Sequence, residues 1–96
     1  MDKDLSDINA LALKLHGSLA EADAFTLQSL AEHVQEVREL IEKKDEHWQA
    51  ETADIIIHGL TLLKRHGSSQ SDIDALLLSR VGRFKEKIAD AIRKQH

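Results

Sequence analysis

Two pairs of acidic residues have the spacing of a metal-binding site shared by adjacent helices. Glu36 and Glu39 are three residues apart in one predicted helix, and Glu51 and Asp54 are three residues apart in the next. Residues with this spacing share a helix face, with Cβ atoms roughly 5–6 Å apart. Each pair therefore presents two carboxylates in one direction.

The turn between the two predicted helices places the pairs opposite each other. Counted from the turn at residues 44–45, Glu39 lies level with Glu51, and Glu36 lies level with Asp54. Four carboxylates that close cannot all stay ionised without a counterion. Mg²⁺, or alternatively Mn²⁺, prefers such oxygen ligands. A site of this kind would bind a polyphosphate and could activate a water for attack on phosphorus.

A solvated acidic face is the alternative interpretation. On the second helix the glutamates lie roughly opposite an apolar stripe of Leu27, Leu30, Val34, Val37 and Ile41. On the third helix a polar stripe runs between two apolar regions; the stripe consists of His47, Glu51, Asp54, His58 and Thr61. A helix that is apolar on two sides is buried on two sides, and carboxylates there are costly unless they are paired or metal-bound. The third helix is therefore expected to contact a second subunit.

Composition predicts a single all-α domain spanning residues 1–96. The chain has no proline and only four glycines, which favours long uninterrupted helices. A net charge of −4 argues against a nucleic-acid polymer as partner. Without cysteine, neither a disulfide framework nor a thiolate zinc site is possible. The acidic start and the short apolar runs predict a soluble cytoplasmic protein with no membrane partner.

Four helices can be predicted from periodicity and end signals. They run from about Asp4 to His16, from Thr26 to Lys44, from a cap at Asp45 to His66, and from the pair Ser71 and Asp74 to near the C-terminus. Gly17 and Gly67 are expected to end the first and third helices. Residues 18–23 are expected to form a connector, either irregular or with a helical turn of its own, since Ser18 and Glu21 have capping-box spacing. The short link between the second and third helices makes them antiparallel neighbours.

The acidic segment resembles the core of the MazG-like nucleotide pyrophosphohydrolases. That superfamily carries Glu-Glu-x-x-Glu followed by Glu-x-x-Asp; this chain has Gln35-Glu36-x-x-Glu39, a Lys-Lys-Asp turn, and Glu51-x-x-Asp54 followed by an isoleucine run. The resemblance spans roughly residues 25–87. It implies a four-helix, all-α bundle completed by homodimer or homotetramer formation. It also implies Mg²⁺-dependent cleavage of nucleoside triphosphates to monophosphate and pyrophosphate.

The same resemblance implies roles for individual residues. The metal ligands and catalytic residues would be Glu36, Glu39, Glu51 and Asp54. Gln35 stands where the superfamily pattern has its first glutamate. Arg80 and Lys87 could contact substrate phosphates, or form only a basic helix end. No asparagine occupies the region of the last helix where the superfamily often carries one.

Phosphoribosyl-ATP pyrophosphohydrolase, an enzyme of histidine biosynthesis in the same superfamily, is a second possibility. Its third helix is similar to ETADIIIHGL at residues 51–60, which places His58 at a matching position, and residues 71–80 are similar as well. Its N-terminal Ser-Tyr-Thr segment is absent, so the general nucleotide enzyme is favoured. A hypothesis of another class is a non-catalytic helical interaction module whose apolar flanks bind a partner helix.

The remaining candidates are histidines and one tryptophan. His58 could bind substrate or hydrogen-bond a ligand carboxylate, although a structural hydrogen bond is the simpler interpretation. Trp48 could stack on a nucleobase, but a lone tryptophan at a helix start is more often buried in a core or interface. Four histidines are expected at the surface or at helix ends: His16, His33, His66 and His96.

Overall fold

A computed structural model describes residues 1–95 and consists of four α-helices. These are α1 (Asp2–His16), α2 (Leu19–Glu42), α3 (Trp48–Arg65) and α4 (Gln70–Gln95). Residues 1–95 contain no strand, which confirms the predicted all-α class. No helix in this range is both long enough and apolar enough to cross a membrane. His96 lies outside the described residues.

The junction between α1 and α2 is tighter than predicted. Gly17 ends α1 with φ 85°, a left-handed conformation that glycine adopts without a Cβ penalty. Ser18 then caps α2, because its Oγ accepts a hydrogen bond from the backbone N–H of Glu21 at 3.2 Å. The predicted connector at residues 18–23 is therefore wrong beyond Ser18. The segment that follows is rich in alanine and free of glycine and proline, so it continues as helix.

Two predicted caps are displaced along the chain. Asp45 does not cap α3 directly; its Oδ1 accepts the N–H of His47 at 2.9 Å, and α3 begins one residue later at Trp48. The capping pair of α4 is Ser69 and Asp72 rather than the predicted pair two residues later. Ser69 Oγ accepts from the Asp72 N–H at 3.1 Å, and Asp72 Oδ2 accepts from the Ser69 N–H at 2.9 Å. This reciprocal bonding satisfies two backbone donors at the helix start.

Helices α2 and α3 form an antiparallel hairpin, as predicted, and α1 packs against both. Near the start of α2, Asp23 pairs with Arg65 at the end of α3, while His33 in the middle of α2 reaches Glu51 near the start of α3. Residue numbers therefore rise along one helix while the numbers of their contact partners fall along the other, as in an antiparallel pair. The hairpin places the polar residues of both helices on facing sides.

The interior of this three-helix unit is small and largely polar. Its buried residues are Leu5, Asn9, Ala22, Thr26, Ser29 and Thr61, joined by Ile73 from α4. The predicted apolar stripe of α2 does not face α3 throughout: Leu27 is 56% exposed and Val34 is 51% exposed. The polar stripe of α3 faces inward instead, and Thr61 is only 1% exposed. Because polar groups cost free energy when buried, this packing requires hydrogen bonds and ion pairs.

Helix α4 leaves the three-helix unit soon after it begins. Ile73 is completely buried, but the rest of α4 as far as Gln95 is exposed, with Ala89 alone half-buried. The radius of gyration is 16.3 Å, whereas a chain of this length folded compactly would have about 12–13 Å. Within one chain α4 therefore does not pack along the other three helices, and the completion of the bundle by a second copy stays a prediction. The exposed apolar side of α4 lacks any covering element among residues 1–95.

An ion-pair network joins the far end of the hairpin. The Arg65 side chain is only 3% exposed, and its Nη1 donates to Asp23 Oδ1 at 2.8 Å and to Thr26 Oγ1 at 3.1 Å. His66 Nε2 approaches Asp23 Oδ2 at 2.6 Å. The hydrogen bond from Arg65, more than that from His66, lowers the pKa of Asp23. Asp23 therefore supplies the negative charge that lets a buried guanidinium remain between the helices.

We expect Asp23→Asn to lower the thermal midpoint at pH 7, because it leaves Arg65 buried without its counterion. The folded-state pKa of Asp23 lies below its unfolded value of about 4, so its stabilisation is complete above that value. It is lost as pH falls through the folded-state pKa. The difference between the melting midpoints of the two proteins should therefore shrink as pH falls from 7 to 3. A constant difference across this range would contradict the ion-pair assignment; Asp74→Asn on exposed α4 is the control.

Candidate metal site

Three side chains from α2 and α3 converge in the middle of the hairpin. His33 Nδ1 lies 2.5 Å from Glu51 Oε2 and 3.6 Å from Glu36 Oε2. One ligand atom from each of the three residues lies within 4.8 Å of the other two. His33 and Glu36 reach this point together because they are three residues apart on α2. The hairpin thus assembles an imidazole and two carboxylates from positions 18 and 15 residues apart in sequence.

Glu51 is the centre of this group. Its side chain is 14% exposed, and its two oxygens are engaged by different histidines. Oε2 faces His33, while Oε1 lies 3.4 Å from Nε2 of His47, the residue just before α3. The polar stripe predicted for α3 explains this placement, because it turns Glu51 toward α2 rather than toward solvent. A partly buried carboxylate held this way needs positive charge beside it.

The charges in the group are strongly coupled. A hydrogen bond between the two carboxyl groups raises the pKa of Glu36 and lowers that of Glu51. The hydrogen bond to Glu51 raises the pKa of His33, against an opposing effect of burial. Two carboxyl groups this close oppose each other's ionisation, whereas the imidazole of His33 favours it. A cation placed among these atoms would offset the negative charge of both carboxylates.

A cavity of about 320 Å³ opens beside the group. It is lined by Glu36, Glu39, Leu40, Lys43, His47 and Glu51. Glu39 is exposed on its wall, and its Oε1 accepts a hydrogen bond from the Gln35 side chain at 3.2 Å. Three of the four predicted carboxylates thus line a single cavity. Lys43 adds an ammonium group at the rim, where it could meet a phosphate oxygen.

Asp54 occupies a different position from the other three predicted ligands. It is half-buried one turn after Glu51 on α3, and it is absent from both the convergent group and the cavity wall. Its negative charge acts on the histidines instead, where it favours the protonated forms of His33 and His58. The structure therefore brings together Glu36, Glu39 and Glu51, and places Asp54 beside the imidazoles.

His58 and Trp48 lie on α3 but have different surroundings. The His58 ring centroid is 5.4 Å from that of His33. Burial, followed by the positive charge of His33, lowers the pKa of His58, so this ring is neutral at pH 7. Its other side lines a second cavity of about 230 Å³ between α1, α2 and α3. Trp48 is half-buried as the first residue of α3, and its carbonyl accepts from Thr52 Oγ1 at 2.8 Å.

Arg80 and Lys87 lie on the exposed part of α4. Their charged groups flank the Phe84 ring, with the Arg80 guanidinium 5.7 Å and the Lys87 ammonium 6.0 Å from its centroid. Among residues 1–95, neither pairs with a carboxylate of α2 or α3. The predicted phosphate-binding residues are thus on the surface of α4, outside the cavity beside Glu51.

His33 is the residue that sequence reasoning misplaced. The expectation that it lies at the surface is wrong: its side chain is 20% exposed and contacts Glu51. The prediction failed because it placed Val34 and Leu27 on the inner face of α2, whereas the inner face includes His33, Val37 and Leu40. The signal was present in the spacing, since His33 precedes Glu36 by three residues. Lys43 was missed as well, because it was assigned only to the turn.

The donor set fits a divalent cation. Ligand atoms on one ion with bonds of about 2.0–2.2 Å lie at most about 4.4 Å apart, close to the 4.8 Å limit that encloses this group. The 2.5 Å between His33 Nδ1 and Glu51 Oε2 is shorter than the roughly 3 Å between adjacent ligands on such an ion, so these two atoms would move apart by a few tenths of an ångström to bind it. A dication would also neutralise the charge of Glu36 and Glu51. No family model, curated protein or solved structure matches the chain.

We expect Glu51→Gln to weaken divalent-cation binding by at least the roughly 10–100-fold seen when an outer partner of a metal ligand is removed. The physical reason is the loss of the central negative charge in the group. Isothermal titration with Mn²⁺ would measure this change. Glu42→Gln, an exposed site at the end of the same helix as Glu36, is the matched control and should bind as the wild type does. Equal affinities of the wild type and Glu51→Gln would refute the site.

Proposed function

We propose that the chain is a divalent-metal-dependent nucleotide pyrophosphohydrolase, which converts a nucleoside triphosphate and water into a nucleoside monophosphate and pyrophosphate. The observation that carries this proposal is the convergence of Glu51 with Glu36 and His33 beside a cavity lined by acidic residues and a lysine. The resemblance of the acidic segment to MazG-like enzymes points to the same chemistry. Mg²⁺ is the cofactor that this resemblance implies.

The residues of the site divide into holding and reacting groups. Glu36 and Glu51 would hold the metal, which would polarise phosphoryl oxygens and neutralise polyphosphate charge. Glu39 lies on the cavity wall outside the three-residue group, so we assign it to orienting a water and accepting its proton. Lys43, on the same wall, would bind a phosphate oxygen. In this scheme Asp54 orients the neighbouring histidines.

We also propose that the functional unit is a homodimer or larger homo-oligomer. The chain exposes 7261 Å², whereas a compact monomer of this mass would expose about 5,500 Å². Burying the excess from two chains would remove about 3,400 Å², within the 2,000–5,000 Å² range of obligate homodimers. A second copy is therefore the partner that this surface fits.

The apolar stripe of α4 is the interface that we assign. It consists of Leu77, Val81, Phe84, Ile88 and Ile92, which are each between 49% and 61% exposed. Their spacing of four, three, four and four residues places them on one side of the helix. If α4 packs on another copy, Arg80 and Lys87 at the edges of this stripe would approach that copy's cavity and contact substrate phosphates. Trp48 and His58 remain the candidates for base contacts.

A non-catalytic helical interaction module is the second candidate function. The observation in its favour is the same exposed apolar surface on α4, together with exposed Leu11 and Leu15 on α1. Under this hypothesis the acidic group is structural, and the apolar faces bind a different protein. The two hypotheses differ in whether nucleotides are hydrolysed.

A panel of nucleoside triphosphates and phosphoribosyl-ATP, tested with Mg²⁺ or Mn²⁺, would measure hydrolysis by pyrophosphate release. We expect release with at least one nucleotide. Glu51→Gln should reduce it by more than the roughly 10–100-fold cost of losing an outer partner of a metal ligand, and Glu42→Gln should not. The enzyme proposal fails if no nucleotide yields pyrophosphate, and the interaction module is then favoured.

We expect Phe84→Glu to dissociate the oligomer, because it places a charge in the centre of the apolar stripe. Size-exclusion chromatography with light scattering, run over a range of protein concentrations, would give the mass. Ser79→Glu adds the same charge on the opposite side of α4 and should leave the mass unchanged. A wild-type mass of one chain at all concentrations would contradict self-association.

A further inference from the structure

We propose that His33 is a direct ligand of the bound cation, and that the site therefore prefers dications that accept nitrogen, such as Mn²⁺ and Co²⁺, over Mg²⁺. This inference rests on the proposed function only in requiring that the site hold a metal. The resemblance to MazG-like enzymes implies a site made of carboxylates alone, so the imidazole would be a feature of this chain.

The position of the ring nitrogen is the first argument. His33 Nδ1, rather than a ring carbon, faces both carboxylates, at 2.5 Å from Glu51 Oε2 and 3.6 Å from Glu36 Oε2. An ion bound between these two oxygens would lie within bonding reach of this nitrogen. Neutral imidazole carries a lone pair on one nitrogen and a proton on the other. With the proton on Nε2, Nδ1 can bind the ion.

The fixed orientation of the ring is the second argument. The His33 side chain is 20% exposed, and its ring packs against the His58 ring, with 5.4 Å between centroids and 33° between planes. This packing limits rotation of the ring and keeps Nδ1 directed at the carboxylates of Glu36 and Glu51.

His47 is the competing imidazole. Its Nε2 lies 3.4 Å from Glu51 Oε1, but its side chain is 64% exposed and it does not join the group whose ligand atoms all converge. Binding through His47 would place the ion on Oε1 of Glu51, the oxygen that does not face His33. An ion placed among Glu36, Glu51 and His33 would have three protein ligands instead of two.

The chemistry of the ligands then decides the preferred metal. Mg²⁺ takes oxygen ligands almost exclusively and gives up its waters reluctantly. Imidazole suits transition metals, and affinity for a mixed nitrogen and oxygen site rises from Mn²⁺ to Co²⁺. Replacing His33 with glutamine keeps a polar side chain of similar reach but removes the nitrogen ligand. The loss should therefore be large for Co²⁺ and Mn²⁺ and small for Mg²⁺.

Pulsed electron paramagnetic resonance of the protein loaded with Mn²⁺ alone tests the ligand directly. We expect ¹⁴N modulation in the wild type, in His47→Gln and in His66→Gln, the last being an exposed histidine at the far end of α3. The modulation should be absent in His33→Gln that retains wild-type helicity by circular dichroism. Loss in His47→Gln with retention in His33→Gln would overturn the proposal, as would a wild-type spectrum without ¹⁴N modulation.

Isothermal titration with Co²⁺ and Mg²⁺ measures the selectivity. In His33→Gln, Co²⁺ affinity should fall by at least the roughly tenfold cost of losing an outer partner of a metal ligand, with Mg²⁺ affinity little changed. An equal loss for both metals would overturn the proposal, since it would indicate only damage to the fold. If ¹⁴N modulation is present but no nucleotide is hydrolysed, the enzyme assignment fails and the ligand assignment stands.

Discussion

The carboxylate of Glu51 is the constraint on which the rest of the structure depends. It lies inside a helical hairpin with 14% of its side chain exposed, and the neighbouring acid, Glu36, hydrogen-bonds to it. Two carboxylates this close need a proton or a cation between them. The His33 imidazole lies beside both carboxylates, and a dication held between them would supply that positive charge. The metal proposal is thus an electrostatic consequence of helix packing and does not depend on resemblance alone.

The same packing leaves much of the apolar surface of one chain exposed. Helices α2 and α3 turn their polar sides toward each other, so Thr26, Ser29 and Thr61 are buried while Leu27 and Ile56 remain exposed. Burial of apolar area is the main source of folding free energy, and this chain leaves much of its apolar area uncovered. A hairpin with a polar interior gains less free energy from apolar burial. In the homo-oligomer that we propose, a second copy would cover the exposed sides of α3 and α4.

Much of the fold followed from sequence because local signals determine it. The four helices, the end of α1 at Gly17 and the antiparallel hairpin were all predicted correctly, since glycine and helix periodicity act within a few residues. The start of α2 was not, because alanine-rich sequence after Ser18 can form either connector or helix. The inner face of α2 was misjudged for a tertiary reason: apolar periodicity identifies the most hydrophobic side, and here part of that side, at Leu27 and Val34, is exposed. His33 was therefore assigned to the surface.

Anomalous diffraction from crystals grown with Mn²⁺ tests the central claim most directly, because it locates the ion without reference to any activity. The account predicts one peak between the α2 and α3 helices, within about 2.0–2.3 Å of oxygens from Glu36 and Glu51 and of His33 Nδ1. A peak bound elsewhere on the surface, or no peak at a saturating concentration of Mn²⁺, would contradict it.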